Sequence, residues 1–390
     1  MRTIGNPWEI LTVKYITDMS DCAETLDGLS PYHVYMHYYW RLRGRWRKQL
    51  YDWIRRPPCD ATASLTPEQV LAGERATVTI TIRIGETPLC RNGRVAIYFP
   101  MSFGGFNEQI ALRCFQGPDG QTGYGSRITA DASKPGVSIA VQVHSAGAVF
   151  LCVELIIEEG ELHEGDEVVV LVGDPSCKPQ VINERAKSLP MRIALDFEGD
   201  GSFRPVVPNP AITVVGNRAK YLRCFAPATP DVGKPFDVRV VAADLENHNP
   251  DHHHSGTVEL HAVEGSLANQ VTTKMPATAC GTLAVPGAIV EHAGVTRIEA
   301  VDHEHGLMGV TNPVCPEMAV GPWRVYYGEI HSHSELSDGV GIPEDSYRWA
   351  RDVEGLDFAG MADHFEDGQS YNYTLEDKWQ KTKEVAEQFN

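Results

Sequence analysis

The sequence lacks the features of a disulfide-rich, secreted or membrane-spanning protein. Its 9 cysteines in 390 residues are scattered, odd in number and without a CxxC pair, whereas small secreted domains carry dense, even-numbered cysteines. No apolar run is long enough to cross a bilayer, and the N-terminal stretch has no signal-peptide pattern. We therefore expect mostly buried thiols, a reducing compartment and a cytoplasmic protein.

Positive charge is scarce as well. Lys and Arg total 34 against 52 Asp and Glu, which gives a formal net charge of -18. Such a surface repels phosphate backbones and anionic lipid, so nucleic acid and membranes are poor candidate partners. The chain also lacks a P-loop, a GxSxG nucleophile motif and a GxGxxG turn between a strand and a helix. These absences argue against the common nucleotide-binding and serine-hydrolase sites.

Residues 1–60 are predicted to form a helical extension. Aromatic and leucine side chains recur there at spacings of three, four and seven, which is one face of a helix, and Pro57 with Pro58 ends the pattern. Either this face packs on the acidic body, or the helix presents a basic, aromatic patch to nucleic acid or a membrane. The face consists of Tyr32, Tyr35, Tyr39, Leu42, Trp46, Leu50 and Trp53.

The hydrophobic period changes to two after residue 60. Short β-branched segments follow one another without intervening helices, which predicts β-sandwich modules. We expect a first module over residues 61–212 and an Ig-like module over residues 213–322, with the proline-rich stretch 192–210 as a connection. The predicted strands are 76–85, 93–100, 138–143, 148–157 and 166–174 in the first module, and 221–227, 235–244, 257–263 and 295–302 in the second.

Residues 323–390 follow an α/β pattern. An apolar strand runs into a histidine-rich loop, and residues 342–355 predict a helix with Pro343 in its first turn and Gly355 as its left-handed cap. A second strand (356–365) and a second helix (375–389) follow. This order predicts a parallel α/β unit, in which the carboxyl ends of the strands form the functional edge.

Potential metal ligands converge at that edge. His331 and His333 alternate on the first strand and therefore point to one face, while Asp363 and His364 close the second strand at the same height. Asp338, in the loop after the first strand, is placed to reach over the strand end. Imidazole and carboxylate are ligands of Zn, Mn and Fe, so the sequence predicts a divalent-metal site. Alternatively, Asp338 belongs to a tight Ser-Asp-Gly turn and Asp363 caps its strand.

The same residues carry a family resemblance. HSHSELSDG (331–339), followed by a strand ending in ADH (362–364), resembles the first two motifs of the PHP (polymerase and histidinol phosphatase) superfamily of metal-dependent hydrolases. TNPV (311–314) ahead of YYGEIHSH is similar to a branch with N-terminal β-sandwich modules, which has carbaryl-hydrolase-like relatives. The resemblance covers about residues 61–390, but the motifs with chemistry lie only in the last stretch.

The resemblance implies a chemistry and a set of ligands. It implies the first two βα units of a (β/α) barrel, with His331, His333, Asp338 and His364 as metal ligands and Asp363 orienting an imidazole. The complete domain would hold two or three divalent ions (Zn, Mn or Fe) and cleave a small-molecule phosphoester, carboxyl ester or carbamate ester by metal-activated water. No further catalytic residue and no oligomeric state is indicated.

Two positions depart from the pattern of that branch. Glu329 stands where Asp is usual, and Ala362 where Thr or Ser is common, so both flank ligands without removing one. The later ligands of the family have no counterpart before residue 390. We therefore expect an N-terminal portion of a longer hydrolase that binds metal weakly and does not turn over by itself. The alternative is a non-catalytic β-sandwich binding or assembly protein with a vestigial PHP segment.

Two other histidine-rich segments are interpreted as structural. VDHEHGL (301–307) places His303 and His305 at the HxH spacing, but it lies between two predicted sandwich strands and therefore indicates a hairpin loop. NHNPDHHHSG (247–256) is expected to bind metal only adventitiously, because consecutive histidines in a loop lack fixed ligand geometry.

Overall fold

The structure is a computed structural model of the chain. Its described residues are mainly β, arranged in several sheets, with two α-helices in the C-terminal segment. Asp338 and nearly all of the predicted helical extension (1–60) lie outside the described residues. The structure describes residues 56–99, 115–116, 126–145, 151–173, 180–181, 187–245, 248–318, 322–337, 339, 341–364 and 375–390.

The strands up to residue 215 make up the first β module. They are β1 (Thr62–Thr66), β2 (Gln69–Leu71), β3 (Arg75–Ala76), β4 (Val78–Arg83), β5 (Arg94–Phe99), β6 (Phe115–Gln116), β7 (Ser126–Ala132), β8 (Ser138–Ser145), β9 (Leu151–Glu159), β10 (Glu167–Val172), β11 (Gln180–Val181), β12 (Lys187–Pro190), β13 (Arg192–Asp196), β14 (Arg204–Pro205) and β15 (Ala211–Val215).

Two five-stranded sheets enclose the core of this module. One has the strand order β1-β4-β10-β7-β6 and the other β14-β13-β5-β9-β8, and smaller sheets join β12-β15-β2 and β11-β3. The alternation expected from the sequence is visible in β4, where Val78, Ile80 and Ile82 are fully buried. These side chains share one apolar cluster with residues of β5, β9 and β13, as in a β-sandwich.

The stretch predicted as a proline-rich connection contains a central strand. β13 pairs with β5 on one side and with β14 on the other, and Ile193 and Leu195 lie in the core. The prediction is wrong for these residues because the prolines begin only after Phe203, whereas the preceding segment is apolar. The predicted boundary at residue 212 falls inside β15, whose Ile212 and Val214 belong to this core.

A second β module follows with its own apolar cluster. Its two sheets have the strand orders β16-β17-β20 and β19-β18-β21-β22, and their inward side chains form one cluster that runs from Ala219 to Val314. The strands are β16 (Tyr221–Phe225), β17 (Phe236–Ala243), β18 (Gly256–Glu264), β19 (Val271–Met275), β20 (Thr282–Ala288), β21 (Arg297–Asp302) and β22 (Leu307–Val310).

The C-terminal segment is a strand-helix-strand-helix unit. Its elements are β23 (Gly328–Ser332), α1 (Pro343–Asp352), β24 (Phe358–Met361) and α2 (Leu375–Phe389). β23 and β24 pair in parallel, and the described residues of this segment form that two-stranded sheet without a closed barrel. Pro343 begins α1, and Gly355 has the predicted left-handed conformation, with φ +61°.

The C-terminal segment is docked on the second β module. Arg223 of β16 donates two hydrogen bonds to the carboxylate of Glu354, at 3.1 and 2.6 Å, and Trp349 donates a third at 3.1 Å. Val353 is buried against Val241 and its neighbours on β17. Burial raises the pKa of Glu354, but the hydrogen bonds and charge of Arg223 outweigh it, so this pKa lies below its ordinary value.

The described cysteines form no disulfide bonds, and most of them are buried. All six described cysteines are free, and Cys59, Cys152, Cys224 and Cys315 are buried, whereas Cys280 is exposed. Burial raises the pKa of the Cys224 thiol to about 12, which makes it an unreactive packing group. Neither helix of the described part of the chain combines the length and apolarity needed to cross a membrane.

Candidate metal centre

The parallel strands β23 and β24 bring their carboxyl ends to one edge. Ser332 pairs with Met361 there, after an irregularity in the register of β23. His331 lies in β23, His333 follows directly after it, and His364 lies three residues beyond β24. His331 thus belongs to β23 itself, which already contains polar residues, whereas His364 follows the apolar strand β24.

Three of the predicted ligands come together at this edge. The ring centroids of His331 and His333 lie 5.3 Å apart, and those of His333 and His364 lie 4.9 Å apart. Two imidazoles that share a tetrahedral zinc ion, each at about 2.0–2.1 Å, have centroids roughly 5 Å apart. Each of the two ring spacings therefore fits a pair of imidazoles on one ion, with His333 in both pairs, but the three histidines do not each bring a ligand atom within 4.8 Å of the others. Asp338, the fourth predicted ligand, lies outside the described residues.

The three histidines differ in their access to solvent. His331 is exposed, whereas His333 and His364 are half-buried. The backbone N–H of His331 donates to Oε1 of Glu329 at 2.5 Å, so the side chain of Glu329 is bound to the backbone of His331. The edge is thus open to solvent on the His331 side.

Asp363 organises the loop that follows β23. Its Oδ1 accepts hydrogen bonds from the Ser334 N–H at 2.7 Å and the Ser337 hydroxyl at 2.6 Å, and its Oδ2 accepts one from the Ser334 hydroxyl at 2.8 Å. All three side chains are buried. Because Ser334 directly follows His333, Asp363 fixes the backbone at this histidine. Its predicted role in orienting an imidazole stays a prediction.

Further contacts tie this loop to other parts of the chain. Glu335 lies 3.6 Å from the Arg192 guanidinium of β13, and both side chains are largely buried. The buried Lys378 of α2 donates to the carbonyl of His364 at 3.1 Å. At Gly339, a Cβ atom would lie 2.2 Å from the carbonyl oxygen of His333, so the turn requires glycine. Both histidine-bearing ends are thus held from outside the two strands.

Sequence reasoning missed a different group of potential ligands. His254, Asp302 and His305 each place one ligand atom within 4.8 Å of the others, and this is the one such group in the described part of the chain. His305 does belong to the predicted hairpin between β21 and β22. The group forms because β18 pairs with β21, which brings the end of the histidine-rich loop (247–256) beside that hairpin. Asp302 before the HxH pair was the available signal.

Comparisons with known proteins leave the family open. No protein-family model and no curated protein matches the chain. One similar solved structure is BslA, a bacterial hydrophobin, with 11% sequence identity over 42% of this chain and 98% of that chain and a TM-score of 0.26. A second is a type II cohesin dyad from the adaptor ScaA scaffoldin of Acetivibrio cellulolyticus, with 12% identity over 63% of this chain and 88% of that chain and a TM-score of 0.24. A third is AvmM, which catalyses macrocyclization in alchivemycin A biosynthesis, with 10% identity over 41% of this chain and 91% of that chain and a TM-score of 0.21. Similarities this low say nothing about function.

Proposed function

We propose that this chain is part of a divalent-metal-dependent hydrolase of the PHP type, in which residues 323–390 supply metal ligands. The observation that carries the proposal is the row of three imidazoles, His331, His333 and His364, at the carboxyl ends of two parallel strands. Parallel α/β folds place their active sites at this edge. Imidazole nitrogens are also the commonest side-chain ligands of transition metals.

The proposal assigns metal binding to the three histidines and support of the backbone to Asp363. His331, His333 and His364 hold the ion, and Asp363 keeps the loop after His333 in place through the two serines. A divalent ion bound here would lower the pKa of a water molecule and polarise the oxygen of a phosphoester, carboxyl ester or carbamate. The exposed side of His331 gives a small substrate a route to the ligands.

The surface of the two-stranded sheet also supports the proposal. Ile330 of β23 and Phe358 of β24 are 72% and 49% exposed, although strands of a parallel sheet are normally covered on both faces. A strand pair that other strands and helices extend, as in a (β/α) barrel, would have such uncovered apolar side chains.

Metal content tests the proposal directly. The chain is purified without an affinity tag, stripped with a chelator and equilibrated with Zn²⁺ or Mn²⁺, and bound metal is measured by mass spectrometry. The double variant His331→Ala/His333→Ala is expected to lose at least one equivalent. The matched control is His163→Ala/His303→Ala, which removes two exposed histidines that lie beside Glu161 and Glu259.

The outcomes separate the two candidate functions. Loss of metal from the first variant but not from the control supports the hydrolase proposal. Equal metal in both variants and in the unmodified chain would remove the site, and a non-catalytic binding or assembly protein would then be the better description.

A further inference from the structure

A second group of ligand atoms lies within the second β module. Nε2 of His254 and Nδ1 of His305 each lie 3.0 Å from Oδ2 of Asp302. The rings of the two histidines are 4.8 Å apart between centroids and tilted by 60°. We propose that these three side chains bind one transition-metal ion of the zinc type, independently of the site between β23 and β24.

Burial makes this group different from a surface cluster. Asp302 is fully buried, and the side chain of His254 is only 4% exposed. Although Nε2 of His254 lies close to the carboxylate, it makes no hydrogen bond of acceptable geometry. A buried polar atom without a hydrogen bond is costly, and so is the burial of a carboxylate. A divalent cation between the three atoms would satisfy both groups.

The backbone directs one oxygen of Asp302 toward the histidines. Its Oδ1 accepts the N–H groups of Glu304 and His305 at 3.0 and 3.2 Å, which leaves Oδ2 facing the imidazoles. On the other side, a Cβ atom at Gly256 would lie 2.1 Å from Oδ2, so only glycine permits this approach. The carboxylate is thus fixed before any ligand binds.

The loop that carries His254 is also held in place. Asp251 accepts the N–H of Ala219 through Oδ2 and the N–H of His253 through Oδ1, both at 3.0 Å, and its carbonyl accepts the N–H of His254 at 3.1 Å. The expectation that this histidine-rich loop lacks fixed geometry is therefore wrong for His254. Fixed ligands lower the cost of ordering a metal site.

The donor set and its surroundings indicate the kind of ion. Two imidazoles and one carboxylate are a common zinc set, and three protein ligands leave a fourth position for water or a small ligand. A cavity of about 670 Å³ adjoins the group and is lined by residues that include His253, His254 and His305. His305 is 45% exposed, so an ion could enter from this side.

The matched controls for a test lie in the same two loops. His303 has the same HxH spacing, but its side chain is 71% exposed and lies 3.5 Å from Glu259. His253 directly precedes His254 and is exposed. The test uses the full chain carrying His331→Ala/His333→Ala, so that the site at β23 does not contribute. One further substitution is then added to this background. His305→Ala and Asp302→Asn test the site, and His303→Ala and His253→Ala are the controls.

Cobalt and zinc serve as probes for these variants. Untagged, chelator-treated protein is titrated with Co²⁺, whose visible absorption reports tetrahedral nitrogen and oxygen ligands, and the ion is then displaced with Zn²⁺. We expect one equivalent in the background variant and in the His303 and His253 controls. His305→Ala and Asp302→Asn should weaken binding at least tenfold, with unchanged circular dichroism. Equal binding in all variants, or equal loss in the controls, would overturn the proposal.

Discussion

Two HxH pairs of the molecule, His303 with His305 and His331 with His333, have different surroundings. In the hairpin between β21 and β22, His303 points to solvent while His305 reaches Asp302, and its ring partner is His254 from a distant loop. At the end of β23, His331 and His333 are ring partners of each other. The same HxH spacing thus separates the two imidazoles in the hairpin and keeps them together at the strand end. A hairpin turn points the two side chains in different directions, whereas side chains at i and i+2 of a strand lie on one face.

The comparison also involves the carboxylates. Oδ2 of Asp302 lies 3.0 Å from both imidazoles and is hydrogen-bonded to that of His305, whereas both oxygens of Asp363 accept hydrogen bonds from the serines of its loop. The first acid is placed beside two imidazoles, and the second supports the backbone beside His333. Substitutions at Asp363 and Gly256 test this division, and changes at Glu354 and His303 test other contacts of the two segments with smaller expected effects.

Asp363→Ala should be the most disruptive change. It would leave the buried N–H of Ser334 and two serine hydroxyls without their acceptor, at a cost of about 3–4 kcal/mol in unfolding free energy. Metal affinity of the β23 site should fall about 10–100-fold. Urea unfolding and metal titration measure the two effects. Asp363→Asn, which keeps one acceptor, serves as the milder control, and unchanged affinity in both variants would contradict the assigned support role.

Gly256→Ala should act on the other acid. Its methyl group would lie 2.1 Å from Oδ2 of Asp302, so the carboxylate or the strand must move, at about 1–3 kcal/mol. Gly294→Ala is the control, because a Cβ atom there meets nothing within 4 Å. Thermal unfolding and Co²⁺ titration of the two variants check the expectation. Equal melting temperatures would show that Asp302 is not confined as described.

The contact of Glu354 with Arg223 should depend on pH. The pKa of Glu354 is depressed in the folded chain, so its contribution to stability is present above the ordinary value of 4.5 and is lost as pH falls through the folded value. Acid should therefore loosen α1 from the second β module by about 1–2 kcal/mol, a figure reduced for the partly exposed carboxylate. Hydrogen exchange of α1 at pH 7 and at low pH measures this. In Glu354→Gln the pH dependence of α1 should be much smaller.

His303→Ala should have the smallest effect. The side chain is exposed and its pairing with Glu259 spans 3.5 Å, so a change of less than about 0.5 kcal/mol is expected. Denaturant unfolding checks this against His305→Ala. If the two histidines of the hairpin proved equally important for stability and metal binding, the contrast between them would disappear.

Much of the fold follows from local sequence patterns. The β-branched alternation of β4 and β10 predicts their strands, and the proline, acidic and glycine positions around α1 predict its limits. The helix α2 occupies the predicted residues 375–389. β13 was missed because its residues were assigned to the proline-rich connection 192–210, although the prolines there begin only at Pro205.

One candidate site was predictable from the sequence and the other was not. His331, His333 and His364 were predictable because strand ends in a parallel unit lie at one edge, a rule that depends only on local order. The group around Asp302 depends on which of many β-strands pair with which, and single-sequence periodicity carries no information about that choice. The pairing of Val258 with Asp302, residues 44 positions apart in the chain, illustrates the gap.

The bridge between Arg223 and Glu354 has a consequence for engineering this chain. A graft of residues 323–390 onto another scaffold would leave Glu354 without its arginine, and Val353 without the β17 side chains that cover it. Glu335 would also lose Arg192. Residues 323–390 therefore cannot be transferred alone, because a recipient protein would have to reproduce the surface of β16 and β17.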